Sequence, residues 1–454
     1  MEASLEGHAG EVAAYVATVA DTVIGCALLR SLPEPDVLDV MSHYDIETLV
    51  GMSSKTSHKH ASLRLFIINP IFARRSKLFL SEMLRLSGKV AIYLHVESAD
   101  DPPPPVLTEF VPVKPRTSVR SCQAYRKSNK DMEHQYALFA VTTRLLGTPY
   151  TTWNTRVVVV GASDTSMGMV EDLLLRTDLR LSNLCLVTPG GLAACASPPP
   201  YANLSLAFDS SRINQLAMSH RIDVVDGEVM SLDRDNKTVT TTSGLNMTFD
   251  VLVMCPGLQD QTLNMDDNGW NDLAGTFSLT QAGTFGRMQQ YLQDEPFPTV
   301  CVYGGTLEAF SSVQWLLRNG VDGTSITLAI PPEPPAASKV PAPSCFNNPA
   351  VDEKIGEVLK NKGVTVIRDF ALVDVVSDPS TGHVAAVSLS GGLDGYNAPC
   401  NMLITACAGE VNMPLFHTVN DAALVYDGRM VVDSNFSTVD PSIYASGTWA
   451  KFGR

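Results

Sequence analysis

The sequence predicts an α/β chain: two successive parallel-sheet halves of nucleotide-binding type over residues 155–454, preceded by a smaller, incomplete α/β region. Three observations predict it. Two glycine-bearing strand–turn–helix units, "VVVVGASDTS" and "VCVYGGTLEA", stand about 140 residues apart. Each is followed by a further apolar strand, "NLCLVTP" and "SITLAI". Each then runs into β-rich crossovers. One glycine turn alone says little, whereas two in this order specify an architecture.

The elements follow in chain order. Residues 11–30 read as two strands joined by a turn near Asp21, and residues 61–69 as a strand. "ARRSKLFLSEMLRLSG" reads as an amphipathic helix with Leu78, Met83 and Leu86 toward a core and Gly88 as its C-cap. "KVAIYLHV" is the next strand, which gives a partial α/β domain over 1–98. Residues 99–154 are expected to be a proline-rich linker (Asp100–Pro115) and a helix over 131–147. The first nucleotide-type half is expected over 155–298 and contains a three-stranded excursion that returns on "FDVLVMCPG". The second is expected over 299–413, and 414–454 returns to the first.

Composition narrows the function classes. Hydrophobic residues make up 45% and charged residues 18%, as in globular chains. A net charge of −15 argues against a general nucleic-acid binder, which needs excess Lys and Arg to neutralise phosphates. Nine scattered cysteines without a C-x-x-C read as reduced thiols in a cytosolic setting. No apolar run reaches the roughly 18 residues of a membrane span, and "MEASLEGHAG" does not read as a signal peptide. No membrane association is expected.

From 156 onward the order "VVVVGASDTS", "FDVLVMCPG", "VCVYGGTLEA", "SIYASGT" resembles the pyridine-nucleotide–disulfide oxidoreductase family. The resemblance implies two-dinucleotide-binding, flavoprotein-reductase-like Rossmann domains. Upstream, residues 43–89, "HYDIETLVGMSSKTSHKHASLRLFIINPIFARRSKLFLSEMLRLSGK", are similar to the cilia- and flagella-associated protein 61 family. That resemblance implies a partial GCN5-type acetyltransferase-like domain ahead of the reductase-like one, as the C-terminal portion of a longer protein. It also implies an axonemal place in the calmodulin- and spoke-associated complex at the base of radial spokes. The implied partners are other radial-spoke-base proteins, calmodulin and the axonemal microtubule assembly.

The candidate site residues depart from a working pattern. A working first turn uses three glycines: for the turn, for approach of the diphosphate, and for helix packing. Here those positions are Gly161, Ser163 and Ser166, with Asp164 adding a carboxylate. Thr188 stands where an acid would hold the adenosine ribose. Gly257 closes "MCPG", and Gly447 and Thr448 end the flavin motif, where flavoproteins carry Asp instead of Thr448. The second turn keeps Gly304, Gly305 and Ala309, but "ITLAI" runs into prolines with no acid or Arg to read a ribose. The small residues of this second turn also serve plain helix–sheet packing.

Catalysis lacks its parts. No C-x-x-C exists to shuttle electrons; Cys255 reads as a core thiol, and Cys400 and Cys407 as structural. The basic stretch Arg74, Arg75, Lys77 has no glycine to close on a coenzyme A pyrophosphate and suits a protein contact or a solvated helix face. His58 and His60 with only His43 nearby suit a polar loop or a partner contact better than a metal. The expectation is therefore no catalytic residue, no metal and no tightly held cofactor, with weak FAD or NAD(P) binding as the alternative. The expected function is a structural, non-catalytic axonemal protein; the rival is an oxidoreductase or nucleotide sensor with a degenerate site.

Overall fold

Ala20 and Asp21 take left-handed φ values of 48° and 64°. That is the backbone of a two-residue hairpin turn, and it joins the strands Val12–Val19 and Thr22–Ser31 where the sequence places a turn. The computed structural model describes residues 12–50, 59–96, 105–116, 136–192, 208, 210–267, 269–281, 284–332, 345–392 and 394–453. His58, Cys122, Cys195, most of the proline run and residues 131–135 lie outside the described residues.

The residues divide into two compact units. The first comprises 1–157, 167–185 and 210–224. Its mixed sheet runs in the order Val12–Val19, Thr22–Ser31, His60–Ile68, Ala91–Val96, Ala137–Thr142, Val111–Pro112. Two expectations need correction here. Residues 137–142 are a strand rather than part of a helix. They are buried on both faces and pair antiparallel with Ala91–Val96, so "ALFAVT" is a continuous apolar run with no helical stripe to expose. The helix is only Thr143–Gly147, whose N-cap Thr142 accepts from the Leu145 amide at 3.1 Å. The sheet of the first domain therefore does not end at residue 98 but draws strands from the segment expected to be linker.

The helix Ser76–Ser87 forms as expected and ends on Gly88 with φ 65°. Its buried face is Leu80, Met83 and Leu84, set against Ala27, Leu29, Ala61 and Leu63. Leu78 and Leu86 point to solvent, 61% and 62% exposed. Residues two apart on a helix are about 200° apart, so the Leu80–Met83–Leu84 stripe excludes Leu78 and Leu86 from the core. A further helix, Glu34–His43, carries Pro35 in its first turn beside the acids Glu34 and Asp36, as suits a helix start.

The second unit comprises 158–166, 186–209 and 225–454. It contains the carboxyl ends of a five-stranded sheet, order Asp223–Asp226, Leu184–Thr188, Val157–Val160, Val251–Met254, Ile443–Ala445. The last strand brings the chain's end back beside Val251–Met254 in parallel register. A second five-stranded sheet runs Thr276–Ser278, Met402–Thr405, Val300–Tyr303, Ile326–Ile330, Thr365–Arg368, all parallel. The helix Leu307–Arg318 covers it with Ala309, Val313 and Leu316, fully buried against Val300, Val302, Ile326 and Leu328. Three-stranded antiparallel sheets, 229–248 and 371–399, are the crossovers. The fold is thus two Rossmann-type halves, with their glycine turns at the carboxyl ends of the strands, where such sheets bind ligands.

Candidate nucleotide site

The two glycine turns have the same construction. The amide of Gly161 donates to the carbonyl of Val187 at 2.9 Å, and that of Gly304 donates to Ala329 at 2.9 Å. On the other side the returning strand of each half presses onto the glycine. A Cβ on Gly161 would stand 2.5 Å from Pro256 Cα and 2.6 Å from the Cys255 carbonyl oxygen. One on Gly304 would stand 2.1 Å from the Ala406 carbonyl oxygen. The amides of Cys255 and Ala406 bond back to Val160 and Tyr303, each at 2.8 Å, which fixes that approach. Both glycines are thus required by packing of protein backbone on protein backbone, whether or not a nucleotide binds.

The rest of the first turn is closed by side chains. Ser166, in the third-glycine position, is fully buried, with Oγ 2.6 Å from the Gly161 carbonyl and 2.8 Å from that of Ser163. Ser163 Oγ lies 3.4 Å from Ser166 Oγ. Gly257, at φ 72°, faces Thr448: a Cβ there would lie 3.9 Å from Thr448 Oγ1. Gly447, at φ 77°, faces the helix start, where a Cβ would lie 3.1 Å from Thr165 Oγ1. Gly161, Ser163, Ser166, Gly257, Gly447 and Thr448 therefore converge at the carboxyl ends of the first sheet. Gly304, Gly305 and Ala309 form a second group on the other sheet, joined by Thr306, whose Oγ1 donates to Ala406 at 2.9 Å.

Each turn also carries its own carboxylate. Asp164 opens the helix Asp164–Leu175, and Glu308 lies in the first turn of Leu307–Arg318; both are exposed. An acid at a helix N-terminus is worth about 0.3–1 kcal/mol through the aligned peptide dipoles, the interaction a bound diphosphate would otherwise use. A diphosphate charge about 5 Å away would meet repulsion of up to roughly 3 kcal/mol at an effective dielectric near 20, less with solvent screening.

The ribose positions are altered in a way that strand order reveals. Thr188 is buried, and its carbonyl accepts from the Gly191 and Gly227 amides. An acid does stand nearby, but one strand further out: Asp226 accepts from the Gly190 amide at 2.6 Å. In the second half the outer strand likewise ends on a charge, Arg368, paired with Ile330. Sequence reading missed both, because their position as the last residue of a third strand appears only once strand order is known. Asp226 commits one carboxylate oxygen, Oδ1, to the Gly190 amide, and Thr188 brings no charge. A buried Ser166, a helix-start acid and an uncharged Thr448 do not fit a tightly held flavin diphosphate.

Three of the described thiols are poor sources of thiolate. Burial pushes Cys255 up to about 11, and Cys400 and Cys407 up to about 12. Thiols this far above neutral pH do not supply the thiolate that exchange chemistry needs. His60 is buried, with Nδ1 2.9 Å from the Tyr93 hydroxyl, in a sheet rather than a polar loop. Among the described residues no group of three or more His, Cys, Asp or Glu gathers to hold a metal, and no helix is long and apolar enough to cross a membrane.

Fold and turns together define the class, a flavoprotein-reductase-type chain of two dinucleotide-binding halves. The profile of the pyridine nucleotide-disulphide oxidoreductase family matches residues 155–453, and the chain belongs to that family. It is also similar to cilia- and flagella-associated protein 61 of Tetrahymena thermophila: 20% identical, over 91% of this chain and 33% of that protein. A monodehydroascorbate reductase 1, peroxisomal, of Oryza sativa subsp. japonica is 24% identical over 50% of this chain and 44% of its own length. The chain thus spans about a third and less than half of these relatives. Among solved structures it is similar to the covalent putidaredoxin reductase–putidaredoxin complex (18% identity, TM-score 0.49, 66% of this chain and 69% of that one). A ferredoxin reductase from Rhodopseudomonas palustris gives 16% identity and a TM-score of 0.48 over the same shares.

Proposed function

We propose that this chain is a non-catalytic structural component of the ciliary and flagellar axoneme. It would act within the calmodulin- and spoke-associated complex at the base of radial spokes and support spoke assembly and motility. Its location is then the cytoplasm and the axoneme, and its partners are other spoke-base proteins, calmodulin and the microtubule assembly. One observation carries the non-catalytic reading: Gly161 and Gly304 are held by returning backbone, while Asp164 and Glu308 occupy the helix starts a diphosphate would use. The ciliary place rests on the similarity to cilia- and flagella-associated protein 61 over most of this chain. The mixed sheet and helix of the first unit suit an acetyltransferase-like origin, used here as a docking body.

The second reading, a nucleotide sensor or NAD(P)H-dependent oxidoreductase, draws on the second turn. A Cβ on Gly305 would meet only Ile330 Cγ2, at 3.3 Å, so its backbone stays approachable. The test is replacement in a cell that builds motile cilia, in the full-length protein. Deleting residues 156–454 is expected to abolish spoke-base assembly, while Thr448→Ala and Glu308→Lys leave it intact. Loss of motility with the point changes, spokes still assembled, would favour the sensor.

A further inference from the structure

The helix Ser76–Ser87 has two apolar faces, and the core uses one. Leu80, Met83 and Leu84 are buried in the first unit. On the outer side Ile71 is 84%, Leu78 61% and Leu86 62% exposed. Ile71 belongs to the 3-10 turn Pro70–Arg75 that runs directly into the helix. Ile71, Arg74, Arg75 and Leu78 are all exposed, and within the 3-10 turn Ile71 and Arg74 stand one turn apart on the same side.

That ridge is basic. Between Pro70 and Lys89 the chain has five Lys and Arg against one Glu, in a protein whose net charge is −15. Glu82 is taken by Arg85, at 2.7 Å. Arg74, Arg75 and Lys77 make no ion pair with a described residue. Ser76 is anchored inward, donating to Glu109 Oε1 at 3.1 Å, so the first helical turn is held with its cations outward. Exposed large apolar residues in a row, rimmed by unpaired cations, mark an interaction surface more than a solvated face.

We propose that this ridge docks an acidic amphipathic helix of a partner protein. Ile71, Leu78 and Leu86 would contact its apolar side, and Arg74, Arg75 and Lys77 its flanking Asp or Glu. The spacing suits a helix, because Leu78 and Leu86, about two turns apart on the α-helix, are the knobs that a second helix receives. Charge complementarity selects the sign: an acidic helix removes the unpaired cations' mutual repulsion, and a basic one adds to it.

The experiment titrates the whole chain with two fluorescent helical peptides, one of Leu–Glu heptads and one of Leu–Lys heptads. Vesicles of phosphatidylserine and phosphatidylcholine, and coenzyme A, are run in parallel. Saturable binding of the Leu–Glu peptide alone, weakening with salt, is expected. Ile71→Ser/Leu78→Ser and, separately, Arg74→Glu/Arg75→Glu should each weaken it on the order of tenfold or more, with thermal unfolding unchanged. Failure of the acidic peptide to bind, equal binding of both peptides, or insensitivity to both variant pairs would overturn the proposal. So would uptake of vesicles or coenzyme A through Arg74 and Arg75 in place of the peptide.

Discussion

The carboxylate of Asp260 accepts a hydrogen bond from the Cys407 amide at 2.9 Å, tying together the two segments that leave the two sheets. The same carboxylate accepts from the Thr262 amide at 2.9 Å and from the Thr262 hydroxyl. Asp260 is 3% exposed. Beside it Gln259 and Glu410 exchange both backbone hydrogen bonds, at 2.8 and 2.7 Å. Asp260→Ala should leave three donors unpaired in a buried place and cost about 2–4 kcal/mol, read as a lower urea midpoint. Asp260→Asn, which keeps an acceptor oxygen, should cost less.

Gly161 and Gly304 make the packing reading of the turns measurable. An added methyl at either meets backbone atoms, at 2.5 and 2.1 Å, which cannot swing aside. Gly161→Ala and Gly304→Ala should each destabilise by more than about 2 kcal/mol without any ligand present. Gly168, helical and with nothing within 4 Å of an added Cβ, is the control. Gly168→Ala should be neutral or stabilising by up to about 1 kcal/mol in thermal unfolding.

Alkaline pH should weaken the second unit. Cys255 is raised to about 11, and Cys400 and Cys407 to about 12, chiefly by burial. An unfolded thiol ionises near 8.5, so above that pH the unfolded chain loses protons the folded chain keeps. Stability is then fully present below about pH 8.5 and falls toward pH 11, with a limiting slope of about 1.4 kcal/mol per pH unit per thiol. Denaturant titrations from pH 8 to 10.5 should show this, with a shallower fall in Cys400→Ala. Iodoacetamide at pH 8 should label exposed Cys345 well before Cys255, Cys301 or Cys400.

Restoring charge logic to the first turn should restore affinity. Thr448→Asp supplies the missing charged acceptor, and Asp164→Gly removes the competing carboxylate. One charged hydrogen bond is worth about 1.5–3 kcal/mol, so the double variant should bind FAD roughly tenfold to a hundredfold tighter in a fluorescence-quenching titration. Unchanged affinity would mean that Ser166 and the packed turn, not charge, set the limit.

Much of this was legible in the sequence, for physical reasons that differ by element. Two glycine turns followed by apolar strands fix a parallel α/β architecture, because only glycine tolerates backbone as close as Pro256 and Ala406 come. "ALFAVT" reads equally as helix because a short run buried on both faces has no period to distinguish strand from helix. Leu78 and Leu86 read as inward because an apolar residue at helical spacing normally is, and a second, outward ridge carries the same signal. Asp260, Asp226 and Arg368 are not legible because Cys407, Gly190 and Ile330, which meet them, lie far away in sequence.

A reductase fold retained without its flavin chemistry has a plain signature in the visible absorption spectrum of the purified chain. The spectrum should be recorded as isolated and again after incubation with excess FAD and desalting. The prediction is no stoichiometric flavin band in either state. A band at one flavin per chain, bleached by NADH or NADPH, would contradict it.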